Sequence, residues 1–231
     1  REGRSPWVLK QDGERYYGRG SADNKGQHSV NMTALAAVIA ERGKLGFNAK
    51  FILETGEEVG SPGLYAFCEQ YRERLKADVL IASDGPRLAA KRPTLFLGSR
   101  AGVGLDFTVE LREGAHHTGN WGGLLANPGV ILANALASIV SREGKILVRG
   151  LLPDGIPDSV RAALSDCTPQ PEAGEPAIDA WWGEPGLTEA EKVYAWNTFE
   201  IFSFRIYPDP PQGIPGKAMA MCGIMFVVGS A

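Results

Sequence analysis

Hydrophobic positions recur with two different periods along this chain, and the change of period marks its organisation. Trp7, Val8, Leu9 and Lys10 on one side of Asp12-Gly13, and Arg15, Tyr16 and Tyr17 on the other, predict a hairpin with a tight turn. Over residues 26–42 the apolar Val30, Leu35, Val38 and Ile39 return at helical spacing, with Asp23 or Asn24 placed to cap the helix and Gly43 to end it. Residues 49–53 read as a short strand. Pro62 suits the first turn of a helix whose buried face is Leu64, Phe67, Cys68, Tyr71 and Leu75. Residues 78–82 read as an apolar strand buried on both faces. Strands alternating with helices in this way predict a mainly parallel sheet covered on both sides.

Beyond residue 92 the period changes. Val103, Leu105, Phe107, Val109 and Leu111 alternate with polar neighbours, the mark of a half-buried strand in an antiparallel sheet. A glycine-rich loop over residues 114–123 follows, then a helix over 128–140 capped by Asn127. Residues 145–148 predict a short strand. Residues 151–182 are rich in proline, glycine and acids and read as a long irregular insertion with one short helix near 159–164. Thr188 caps a helix running to about Ala195, and strands follow at 199–205 and 217–228. The domain boundary is placed near residue 98. No internal repeat and no low-complexity tract interrupts this pattern.

Composition narrows the class. The chain has 231 residues, a formal net charge of −3, and interspersed charges of both signs. That gives no basic stripe to follow phosphates, so no nucleic-acid partner is expected. No apolar run is long enough to span a bilayer, and no signal-peptide pattern opens the chain. Three scattered cysteines, Cys68, Cys167 and Cys222, form neither a metal-spacing motif nor an even-numbered framework. They suit reduced thiols and a cytoplasmic setting.

The chemistry concentrates in three segments: Gly18-Arg19-Gly20-Ser21-Ala22-Asp23-Asn24-Lys25-Gly26, Glu54-Thr55-Gly56-Glu57-Glu58-Val59-Gly60-Ser61, and Ser83-Asp84-Gly85-Pro86. Each places a carboxylate beside glycine at the end of a hydrophobic run, where an α/β sheet presents its ligands. Asp23 alone also suits a plain helix cap, since the positive helix end favours a carboxylate there. Gly18, Gly20 and Gly26 go beyond what a cap needs and would let the backbone approach an ion. Glu57 and Glu58 alone suit a solvated acidic loop, yet adjacent carboxylates repel unless a cation or proton lies between them. Asp84 alone suits a turn. Acids at three successive strand ends point to a shared metal site.

These segments resemble the dinuclear zinc metallopeptidases and amidohydrolases that include glutamate carboxypeptidase, carnosine dipeptidase, aminoacylase, acetylornithine deacetylase and succinyl-diaminopimelate desuccinylase. The match runs from about residue 16 to 123 and more weakly from 214 to 229. The resemblance implies that Asp23 bridges two metals, Glu58 binds one and Asp84 the other, and Glu57 is the general base. His117, followed by Thr118 and Gly119 ahead of Gly122-Gly123, matches the lid histidine that polarises the substrate carbonyl, typically across a dimer interface. It also implies a cis peptide between Asp23 and Asn24. His116 reads as a solvated loop residue, His28 as packing or solvent, and Lys25 and Arg100 as structural charges. Asn120 and Asn127 are weaker candidates for substrate contact, with capping the expected role of Asn127. Met225 stands where longer-lid relatives often carry arginine.

The implied fold is α/β: a partial parallel-sheet zinc-peptidase catalytic domain over residues 1–98, and an inserted ferredoxin-like α+β lid (dimerisation) domain over 99–231. The lid is expected to stop before its last helix and strand, and both chain ends read as cut. The implied function is metal-dependent hydrolysis of an amide or peptide bond in a small carboxylate-bearing substrate, a dipeptide or an N-acyl amino acid. Two divalent ions are implied, zinc with cobalt or manganese as substitutes, in a homodimer joined through the lid. Asp23, Glu58 and Asp84 leave about two ligand bonds unfilled. The family's upstream His-x-Asp motif and distant downstream histidine are not found, so this chain alone is expected to be inactive. The alternatives are a non-catalytic dimerisation or binding module that keeps the peptidase scaffold and, more weakly, a nucleotide-binding α/β protein. Against the last, there is no complete phosphate loop.

Overall fold

The computed structural model describes residues 3, 5–85, 88, 92–169, 171, 176–209 and 213–230. The chain divides into two compact units, Arg1–Pro86 and Arg87–Ala231.

The first unit opens on a hairpin, β1 (Lys10–Asp12) antiparallel to β2 (Arg15–Tyr17), with Asp12 opposite Arg15. Its turn is Gly13-Glu14, one residue later than expected, and Gly13 takes the positive φ of 61° that glycine adopts at no steric cost. Helix α1 (Lys25–Arg42) ends on Gly43 in the left-handed conformation, whose N–H donates to the Ile39 carbonyl. Asn24 holds the N-cap position but makes no side-chain cap bond. The helix predicted after Pro62 forms as α2 (Leu64–Gln70) and α3 (Arg72–Leu75), interrupted at Tyr71.

The predicted parallel sheet is the main departure. Neither residues 49–53 nor 78–82 form a ladder, and every ladder among the described residues is antiparallel. A strand is defined by a partner for its N–H and C=O groups, and no described segment pairs with either run. Their side chains stay in water as a result: Leu80 is 87% exposed and Leu53 74%. Among the described residues, every buried side chain lies in the second unit.

There, β3 (Ala101–His116), β4 (Thr198–Tyr207) and β5 (Ile214–Phe226) form a sheet in the order β3-β5-β4, with both outer strands antiparallel to β5. β3 and β4 are therefore parallel to each other with β5 between them, the split βαβ arrangement. Alternation decides the faces. Leu105, Phe107 and Val109 point inward opposite Cys222, Ala220 and Ala218 of β5, while Asp106, Thr108 and Glu110 face outward. The small inner side chains of β5 make room for the helix over residues 128–139, whose Leu132 and Leu136 complete the core.

The short helix Thr118–Trp121 is α4, and the core helix Pro128–Ile139 is α5. Asn127 caps α5 as expected, its Oδ1 accepting from the Gly129 and Val130 N–H groups. A Cβ on Gly129 would come 2.8 Å from Ile206 Cδ1, so a glycine there lets α5 sit close to β4. The predicted strand at 145–148 is reduced to one bridge, Ile146 to Val140. The insertion carries the expected short helix, α6 (Asp158–Leu164); residues 170 and 172–175 lie outside the described set. Helix α7 (Glu189–Tyr194) begins with a full capping box between Thr188 and Glu191. Buried Asn197 bonds to the Leu151 carbonyl, the Val227 N–H and the Ser230 hydroxyl, tying the insertion to the end of β5.

Two outcomes are expected. Leu132→Ala should cost about 2–5 kcal/mol by urea denaturation, whereas Leu80→Ala should change stability by less than about 0.5 kcal/mol. Equal effects would contradict this division of the core. The second concerns acid. The Thr188 N–H donates to Glu191 and holds its carboxyl below the ordinary 4.5; burial opposes this and Arg161 reinforces it. The lowered folded value means this contribution is present above about pH 4.5 and fades as pH falls through the folded value. Glu191→Gln should remove that part of the acid dependence in pH-resolved unfolding curves.

Candidate metal centre

The loop before α1 is folded on itself. The Ser21 N–H donates to the Gly18 carbonyl and the Lys25 N–H to the Gly20 carbonyl. A Cβ on Gly26 would lie 2.7 Å from the Ser21 carbonyl oxygen, and one on Gly20, at φ 74°, would lie 2.6 Å from Lys25 Nζ. Gly26 therefore leaves room for the Ser21 carbonyl, and Gly20 adopts a left-handed φ that glycine takes at no steric cost. The Asp23–Asn24 peptide is cis, as the resemblance implied. Asp23 is not a cap: Asn24 occupies that position, and Asp23 is left exposed.

The paired acids lie on a one-turn 3-10 helix, Glu57–Val59, at its N-terminal end. Glu54 builds the turn beneath them. Its Oε1 accepts from the Gly56 N–H at 2.6 Å and its Oε2 lies 3.5 Å from the Ser61 hydroxyl. Gly60, at φ 85°, closes the turn by donating to the Glu57 carbonyl.

Three side-chain bonds join these segments. Arg19 Nη2 donates to Glu58 Oε1 at 3.0 Å. Asn24 Nδ2 donates to the Ser83 carbonyl at 2.8 Å, and Gln27 Nε2 to the Gly85 carbonyl at 3.4 Å. The loop carrying Asp23 is thereby tied to the turn carrying Glu57 and Glu58 and to the segment carrying Asp84. Pro86, the last residue of that third motif, lies outside the described residues. The sequence points to Asn24 only as a possible cap and cis-peptide partner, and it points to none of these three bonds. Arg19 gave a signal, a long cation between two glycines just ahead of an acid.

The donors suit a divalent ion chemically, since carboxylate oxygens bind zinc, cobalt and manganese. Asp23, Glu57, Glu58 and Asp84 are all exposed, and among the described residues only Glu58 has an ion-pair partner. No group of three or more His, Cys, Asp or Glu among the described residues is arranged to hold a metal. With Asp23 bridging, Glu58 and Asp84 would leave each ion two protein donors rather than three. By donor chemistry the three acids suit a divalent ion, but their placement gathers no metal-holding group among the described residues.

The histidines are placed as follows. His28 sits half-buried on α1. His116 is half-buried at the end of β3 with its ring edge-on to Trp121 at 6.3 Å, so it is packed, not a freely solvated loop residue. His117, exposed in the second unit, caps α4: its Nδ1 accepts from the Gly119 N–H at 3.1 Å. The neutral ring then carries its proton on Nε2, which is left free to donate outward. Asn120 is exposed on α4. Arg100 donates to the Trp196 carbonyl and the Thr198 hydroxyl, as suits a structural charge.

The family model described as peptidase family M20/M25/M40 matches residues 1–211. The Beta-Ala-His dipeptidase of Homo sapiens is 33% identical over 154 residues, 66% of this chain and 30% of that protein. The Cysteinylglycine-S-conjugate dipeptidase of Corynebacterium striatum is 33% identical over 147 residues, 63% of this chain and 32% of that protein. Among solved structures, the M20 family metallo-carboxypeptidase Sso-CP2 from Sulfolobus solfataricus aligns with a TM-score of 0.77 at 21% identity, over 98% of this chain and 53% of the other. The di-peptidase Dug1p from Saccharomyces cerevisiae aligns at 0.63 and 20% identity, over 97% and 49%. The chain thus spans about a third of the length of these curated relatives and about half of each solved chain.

The bonded Nδ1 has a direct spectroscopic consequence. Long-range proton–nitrogen correlation above pH 8 should find the His117 ring as the Nε2–H tautomer. A ring protonated on Nδ1 would contradict the cap geometry.

Proposed function

We propose, from the premise that this chain belongs to peptidase family M20/M25/M40, that the whole protein is a metal-dependent hydrolase of amide or peptide bonds in small carboxylate-bearing substrates. Dipeptides are the first choice of substrate and N-acyl amino acids the second. Residues 1–98 supply the catalytic part and 99–231 a lid through which two copies pair, in a cytoplasmic setting. Among the described residues no helix is long and apolar enough to cross a membrane.

The observation that carries this reading is the tying of the three acid-bearing segments to one another through Arg19, Asn24 and Gln27. The dipeptidase relatives support the substrate class. Asp23, Glu58 and Asp84 would hold two divalent ions, zinc first and cobalt or manganese as substitutes. Such ions, once bound, activate water and polarise the scissile carbonyl. Glu57, beside Glu58 on the same exposed turn, takes a proton from the attacking water and passes it to the leaving amine as the C–N bond breaks. His117 offers its Nε2–H to the oxygen that gains charge as water adds to the carbonyl carbon. The ligand count leaves each ion short of donors, so the 231-residue chain by itself is inactive.

The test uses the protein at its natural length, stripped with a chelator and reloaded with zinc, cobalt or manganese. Hydrolysis of dipeptides should return with metal. Glu57→Gln should lower kcat by about 10²–10⁴ while leaving metal content unchanged, and Asp23→Asn should lose metal. Absence of both bound metal and hydrolysis would decide for a binding module that keeps the scaffold.

A further inference from the structure

We propose that Arg112 and Gly213 are positioning residues for His117, which aim its ring by holding the backbone before and after it. This rests on the reading of His117 as the group that meets the substrate oxygen. It goes beyond that reading, because neither residue meets substrate there, and it involves none of the acids of the first unit.

The geometry starts from the ladder. β3 and β5 pair in regular register as far as Glu110 opposite Lys217, and pairing resumes at Ala115 opposite Pro215. Glu110 to Ala115 is five steps along β3, whereas Lys217 to Pro215 is two along β5, so the surplus of β3 bulges out. Gly216 accommodates the bulge: a Cβ there would lie 2.0 Å from the Arg112 carbonyl oxygen and 2.8 Å from that of Gly114. His116, opposite Ile214, is the last residue of β3, so His117 is the first to leave the ladder. Gly213 stands just before Ile214 at φ 75°. A Cβ on it would lie 2.3 Å from the His116 carbonyl oxygen and 3.5 Å from the His117 nitrogen, which belong to one peptide group. Gly213 therefore backs the peptide from which His117 departs, and both its φ and this contact call for glycine.

Arg112 lies in the bulge and is half-buried. Its Nη1 donates to the Ala126 carbonyl at 2.9 Å and to the Pro215 carbonyl at 3.3 Å. Pro215 pairs with Ala115, two residues before His117, and Ala126 stands between α4 and the Asn127 cap of α5. One guanidinium thus joins the strand leading into His117 to the chain leaving α4. Between these points α4 has four residues, far too few to persist on its own hydrogen bonds. Its start is the His117 cap, and a Cβ on Gly119 would lie 2.8 Å from His117 Cε1. The ring keeps its direction only while both ends of this short segment are held.

The test follows the rate and the ring separately, in the natural-length protein. Arg112→Met and Gly213→Ala should each lower kcat on a dipeptide by about tenfold to a hundredfold, with KM and bound metal close to the parent's. Arg112→Lys should recover part of the loss, since an ammonium still donates but lacks the planar fork. Adding Arg112→Met to His117→Ala should lower kcat no further, whereas a merely structural role would lower it again. Long-range proton–nitrogen correlation at alkaline pH needs neither metal nor turnover. It should show the His117 ring signals displaced in Arg112→Met and Gly213→Ala, with those of His28 unmoved. Parent-like His117 signals in both variants, or a loss that adds in full to that of His117→Ala, would overturn this proposal and leave the role of His117 standing. A parent that hydrolyses no dipeptide, or His117→Ala working at the parent's rate, would overturn the role of His117 itself. Should Gly213→Ala fail to fold, Arg112→Met and Arg112→Lys carry the same comparison.

Discussion

The structure depends on one strand being paired along both edges. β5 lies between β3 and β4, and its inner face presents Ala218, Ala220, Cys222 and Ile224. Pairing on both sides satisfies its backbone polar groups, which is the condition for burying it at all. The small side chains then let Leu132 and Leu136 of α5 reach the sheet. Where that pairing exists the chain has a core; where residues 49–53 and 78–82 find no partner among the described residues, comparable apolar side chains stay in water. Composition does not separate the two cases, because Leu80 and Leu132 are the same residue. The difference lies in the backbone.

Much of this was legible from spacing. The alternation of Leu105, Phe107 and Val109, the caps at Asn127 and Thr188 and the stop at Gly43 each act within a few residues, and each forms as expected. What spacing could not supply was pairing. An apolar run of five residues states that a strand would be buried if partners were present, and says nothing of whether they are. The hairpin turn, displaced by one residue, and the interruption of the helix at Tyr71 are smaller, local departures.

The candidate site divides in the same way. Its acids were readable because each stands beside glycine after an apolar run, and the cis Asp23–Asn24 bond followed from the resemblance. Gly26 also leaves room for the Ser21 carbonyl, a close approach that sequence alone did not show. The bonds that join the segments were not readable at all. Arg19 and Glu58 are 39 positions apart, and Asn24 and Ser83 are 59. No local pattern encodes such separations.

Those ties also bear on the two acids that stand side by side, Glu57 and Glu58. In surroundings close to water, two carboxylates about 4 Å apart repel by only ~1 kcal/mol. Exposure therefore keeps the repulsion between Glu57 and Glu58 small, and Arg19 at 3.0 Å from Glu58 offsets part of it. Burial would raise the same repulsion severalfold and demand a counter-charge from the fold itself. Segments tied by hydrogen bonds can stay together without an apolar core beneath them. The first unit, which has no buried side chain among its described residues, holds its acid-bearing segments together by polar contacts instead.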